Sequence, residues 1–183
     1  MSFTLIALTS CKVIFTETMK NKYENAGINV KKIQFYNSEQ FELSRKISAS
    51  EAKTVSGKVQ IENGIQKEFI LVGPKTQGKC DSIVNNILYV SFDIGKGKSI
   101  RFKTEGDNSP YSIDLDSCTV ENTGKRFPGM PNGSGGSMHV CSVYYNGKLY
   151  QAKYGNVPKL VIKNNQKTNV RVSRQKAKGV KVD

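Results

Sequence analysis

The chain has 183 residues, with 28 Lys and Arg against 15 Asp and Glu, a net charge of +13, four cysteines, one histidine and no tryptophan. That length fits one domain able to bury roughly 70% of its unfolded surface, which removes the need for a metal or a dense disulfide framework. The 37% hydrophobic content is low for a globular domain but above the disordered class.

The positive charge is spread along the chain and is densest at the end. Lys167, Arg171, Arg174, Lys176, Lys178 and Lys181 are six basic residues in a stretch with no acid. Such a surface attracts polyanions: nucleic acid, anionic lipid headgroups or acidic polysaccharide. Lysines spread over strands and turns also serve solubility and protect sheet edges.

In chain order, the apolar opening Phe3–Leu8 is far short of the ~20 residues that span a bilayer. It is also short for a secretory apolar core, and no Lys or Arg precedes it. After Lys12-Val13-Ile14-Phe15, the spacing of Thr16, Met19, Tyr23 and Ala26 predicts a short helix stopped by Gly27. From Ile28 the pattern becomes β. VKKIQFY alternates in part, NSEQ is turn-like, and FELSRKI follows. Asn63-Gly64 sits between two alternating runs and predicts a hairpin. PKTQGKCD reads as a loop. SIVNNILYVSFDIGKGKSIRFKT reads as a strand holding Ile87, Tyr89 and Phe92, a turn at Gly95–Gly97 and a returning strand with Ile100 and Phe102. YSIDLDSCTV reads as one short strand, with Ile113 and Leu115 alternating. Residues 125–137 form a low-complexity loop, and Asn146-Gly147 marks a second hairpin. KLVIK and NVRVSR complete about nine or ten strands with no long amphipathic helix between them. The reading is mainly β: an antiparallel β-sandwich or partly closed barrel with one short N-terminal helix.

Motifs for chemistry are sparse. The cysteines are Cys11, Cys80, Cys118 and Cys141, with no CxxC pair to suggest zinc. With Cys11 set aside, an odd number remains, and one disulfide such as Cys118–Cys141 would leave Cys80 free. His139 and Cys141 share a strand face, a possible start for a metal site or a Cys–His dyad. A dyad also needs hydrogen-bond contact and an orienting third group, and the sequence shows neither. The bland alternative is a partly buried cysteine beside an ordinary strand histidine. IGKGKS lacks both the glycine spacing and the following helix of a phosphate-binding loop, so it reads as a hairpin turn. GMPNGSGG is a flexible connector or a binding loop. The basic C-terminal stretch has no aromatic residue on which bases could stack. Tyr144, Tyr145, Tyr150 and Tyr154 bracket a hairpin turn, and alternation gives Tyr144 and Tyr145 opposite facing, so at least one is exposed. An exposed tyrosine can stack on a sugar face or fill a partner's pocket; cross-strand packing is the ordinary role for this group. Asp114 and Asp116 share a strand face without forming an acid–base pair. No catalytic residue, metal ligand or cofactor is predicted.

Leu8-Thr9-Ser10-Cys11, at the end of LIALTSC, resembles the lipobox of bacterial lipoprotein precursors. The body, with KKIQFYNSEQFELSRKI and SGKVQIENG, is similar in texture to small uncharacterised bacterial lipoproteins rich in β structure. The resemblance implies that Cys11 becomes the first mature residue and carries acyl chains, anchoring the protein to a membrane. Some such proteins carry an acidic run after the cysteine that sends them to the cell surface. Here Lys-Val-Ile-Phe follows, which favours a periplasm-facing anchor. The chain departs from the pattern in its missing basic start and short apolar core, and FTLIAL would serve equally as an ordinary first strand.

The expected organisation is a lipoprotein signal segment at 1–10, an anchor-proximal segment with a short helix at 11–30, one β domain at 31–175 and a basic tail at 176–183. The expected function is a membrane-anchored, non-enzymatic binding or scaffolding role at the bacterial cell envelope. An envelope protein or acidic polysaccharide would be its partner. The alternative is a soluble, cytoplasmic basic structural or nucleic-acid-associated β protein, for example of virion type.

Overall fold

The computed structural model describes residues 12–53, 58–95, 97–122 and 137–163. The described residues begin with β1 (Lys12–Ile14) and the helix α1 (Glu17–Asn25), then β2 (Gln34–Asn37) and β3 (Phe41–Lys46). Next come β4 (Lys58–Glu62), β5 (Ile65–Val72), β6 (Gln77–Val84), β7 (Ile87–Ser91) and β8 (Ser99–Lys103). The last described strands are β9 (Ser112–Ile113), β10 (Asp116–Asn122), β11 (Ser137–Tyr145), β12 (Lys148–Tyr154) and β13 (Leu160–Lys163).

Two antiparallel sheets face each other across one apolar core. The first has the order β1-β13-β2-β6-β7-β8-β9, and the second β10-β11-β12-β3-β5-β4. Alternation fills the space between them: Phe41 and Leu43 from β3, Leu88 and Val90 from β7, Ile100 and Phe102 from β8, and Leu160 and Ile162 from β13 are all buried. The fold is the antiparallel β-sandwich read from the sequence. Its larger sheet curls until its ends meet at two isolated bridges, Thr16 with Pro110 and Ser112 with Lys159. Phe15 lies at this seam, packed against Tyr23, Phe35 and Tyr111.

The helix forms where expected. Thr16 caps it, its hydroxyl accepting from the Met19 N–H at 3.3 Å, and Gly27 ends it at a φ of +72°. Both Asn-Gly hairpins are present, with φ of 52° and 73° at Asn63-Gly64 and 52° and 69° at Asn146-Gly147. No helix among the described residues is long and apolar enough to cross a membrane.

Four local readings are corrected. The stretch read as a loop contains β6, whose alternation is hidden because its first inward residues are Gly78 and Cys80. A Cβ at Gly78 would fall 2.7 Å from Val90 and Phe92, so the close approach of β7 needs glycine there. The single strand through Ile87 is instead two strands joined at Asn85-Asn86, which turn at φ of 49° and 62°. Asparagine tolerates that conformation, and neither residue is a glycine to signal it. YSIDLDSCTV breaks between β9 and β10, which lie in different sheets. VKKIQFY begins with a short 3-10 turn, Val30–Lys32, because the Asn29 side chain accepts from the Lys31 N–H at 2.9 Å. Residues 1–11, 123–136 and 164–183, and with them Cys11, the stretch NVRVSR and Lys167, Arg171, Arg174, Lys176, Lys178 and Lys181, lie outside the described residues.

Candidate functional site

At one end of the sandwich, the turns of opposite sheets meet: the Asn146 N–H donates to the Gly97 carbonyl at 2.7 Å. The inward alternation of β3 runs Phe41, Leu43, Arg45, so the core here gives way to charge. Register places Arg45 opposite Glu68 of β5. Glu68, 3% exposed, accepts from Arg45 Nε at 2.9 Å and from the Tyr150 hydroxyl at 3.0 Å. Arg45 also donates to Glu51 at 3.1 Å, and Lys148 reaches the same carboxylate at 3.1 Å. The Ser48 N–H, followed by Lys148 and Arg45, holds the Glu51 carboxyl down to about 2.

Two members of this network, Glu68 and Tyr150, form one wall of a cavity of about 290 Å³ that also contacts Ile70, Asp93, Tyr145 and Asn146. Tyr145 packs edge-on against Tyr150, with ring centroids 5.6 Å apart. It is 4% exposed. Burial, then the negative charge of Asp93, keeps that phenol protonated well above its ordinary range. Lys58 and Lys98 balance Glu68 and Asp93 in the lining. A cavity of this size and polarity can hold a small polar ligand by hydrogen bonds.

The Cys118–Cys141 disulfide forms, across a separation of 23 residues, and leaves Cys80 as a buried free thiol. Burial pushes that thiol up to about 11. A reactive Cys–His dyad at His139 and Cys141 is therefore removed, because the sulfur is oxidised. His139 stacks instead on Tyr154, its register partner, at 5.2 Å, while the Tyr154 hydroxyl donates to Cys141 Sγ at 3.4 Å.

Asp114 and Asp116 are tied to cations. Asp114, buried at the crossover between sheets, pairs with Lys103 at 2.9 Å and Arg101 at 3.3 Å, and Asp116 with Arg101 at 3.0 Å. The glycines of IGKGKS turn a hairpin, with Lys98 paired to Asp93. Tyr144 is 69% exposed, whereas Tyr145, Tyr150 and Tyr154 are buried. No group of three or more potential ligands among the described residues could hold a metal ion. Arg45 and Glu68 were not singled out in the sequence. Their signal was present: both are charged residues at the inward parity of strands that pair.

Comparison of the chain with protein-family models, curated proteins and solved structures finds no match.

Proposed function

We propose that the protein is a membrane-anchored, non-enzymatic β domain of the bacterial cell envelope, acylated at Cys11 and facing the periplasm, with a binding or scaffolding role. The observation that carries this reading is the Cys118–Cys141 disulfide. Such bonds persist in oxidising compartments and are rare where thiols are kept reduced. The assignment also gives each cysteine a place: Cys11 takes acyl chains, two residues form the bridge, and Cys80 is buried where it cannot exchange. The cavity beside Tyr145 is the candidate binding site, and the +13 charge favours an anionic setting.

The test is intact mass and membrane fractionation of the protein expressed from its native start, beside Cys11→Ala. Acyl mass, loss of residues 1–10 and membrane association in the wild type alone are expected. An unprocessed 183-residue chain in the soluble fraction would overturn the anchor and leave the basic surface, with nucleic acid as partner, as the leading clue. Salt-dependent DNA binding would then be the measurement to make.

A further inference from the structure

The two ends of the described chain are neighbours, and both are basic. β1 pairs antiparallel with β13, setting Lys12 directly opposite Lys163. Like charges in that position repel. Neither lysine takes part in an ion pair with a carboxylate among the described residues. Both ammonium groups lie instead over the ring of Tyr36, at 4.0 Å and 5.6 Å from its centroid. Tyr36 belongs to β2, the strand beyond β13, and is buried under them.

A third lysine joins from the turn before β6. The Lys75 N–H donates to the Asn37 carbonyl at 2.7 Å, fixing that turn beside β2, and its side chain is exposed. The Lys12 ammonium is displaced below its ordinary pKa by burial, then by Lys75 and Lys163, so the charges act on one another. Beside them, Ile14 lies two residues along β1, on the same face as Lys12, and is 46% exposed. The patch thus combines three uncompensated cations with one bare apolar side chain. Cys11 immediately precedes it in the chain, and the segment carrying Lys167 to Lys181 follows Lys163.

We infer that Lys12, Lys75 and Lys163, with Ile14, form a docking surface for anionic phospholipid headgroups. Three clustered ammonium groups suit phosphate oxygens, and the exposed isoleucine suits the acyl boundary. Nucleic acid fits less well, because Tyr36, the aromatic ring at the centre, is covered and offers no face for base stacking. The inference rests on the envelope reading for its setting, but the contact itself needs no acyl chain.

The experiment uses the full chain carrying Cys11→Ala, sedimented with vesicles of phosphatidylglycerol mixed with phosphatidylcholine, and with phosphatidylcholine alone. Binding to the mixed vesicles only is expected. Each lysine contributes roughly fivefold to partitioning, so Lys12→Gln/Lys75→Gln/Lys163→Gln should weaken it on the order of 100-fold. The Tm of that variant should stay close to the wild-type value, because the repulsion it removes offsets the lost ammonium contacts with Tyr36. A control of equal charge loss on the other sheet, Lys46→Gln/Lys58→Gln/Lys153→Gln, should keep most of the binding. Equal loss in the control, or no loss in the first variant, would overturn the proposal. So would retention on duplex DNA through the same three lysines without vesicle binding. Acylation of the wild type with no vesicle binding by the Cys11→Ala chain would sink this surface alone, and vesicle binding by the Cys11→Ala chain with a wild type that is never acylated would sink the anchor alone.

Discussion

Glu68 and Arg45 show what single buried charges cost and what they hold in place. Removing one partner of a buried pair leaves the other uncompensated, at about 3–5 kcal/mol. Arg45 would keep Glu51, so Glu68→Ala should cost about 3 kcal/mol in urea unfolding, while Glu68→Gln, which can still accept from Tyr150, should cost less. Cys80 gives a pH dependence. Its folded pKa, near 11, lies above the ordinary thiol value of 9.0 because burial disfavours the thiolate. The stability it supports is therefore full below pH 9.0 and falls as the pH rises through 11. Native protein should resist a thiol-specific reagent at neutral pH, and Cys80→Ala should flatten the alkaline limb of a stability profile. A profile unchanged by that substitution would contradict the assignment.

At the level of elements, β10 depends on a single partner strand. Among the described residues it pairs only with β11, and it carries a register shift at Ser117, where φ is +48°. The Cys118–Cys141 bridge fixes it there, and a closed loop of this length stabilises by about 3 kcal/mol. Cys118→Ser should lower stability by that amount and remove hydrogen-exchange protection from β10 before the strands beyond β11; uniform loss across both sheets would contradict it. This bridge was legible in the sequence from cysteine arithmetic, as the Asn-Gly hairpins were from their turn chemistry. The elements that escaped did so for stated reasons. Gly78 and Cys80 conceal alternation in β6, Asn85-Asn86 turns without glycine, and Asp114 looks like a strand residue while sitting at a crossover. Of the candidate cavity, Tyr145 and Tyr150 were visible as members of a tyrosine group. That both face inward, and that Glu68 joins them with Arg45 behind it, depends on registers between strands far apart in sequence.

For the molecule as a whole, the seam of the larger sheet is the joint on which the N-terminal segment depends. Phe15 is fully buried there, and its N–H donates to the Leu160 carbonyl at 2.8 Å. Phe15→Ala should cost about 3–5 kcal/mol by cavity formation. Limited proteolysis should then cut between β1 and α1 before any other site, and an unaltered cleavage pattern would show that the seam is held elsewhere. Register also aligns the ends of the strands. The start of β1 lies beside the end of β13, and the antiparallel order carries that end across Gln34, Lys79 and Ser91 to Ser99. The turn bearing Asp93, and the cavity it borders, sit at this same end.

β1 starts one residue after Cys11. A single residue spans at most about 3.6 Å, so an acylated protein would have no stalk. It could neither swing nor reach outward, and its orientation on the bilayer would be set by the sheet itself. Whatever it holds would have to lie within, or come to, the layer directly above the headgroups, so its reach would be measured by lateral diffusion in the membrane rather than by tether length.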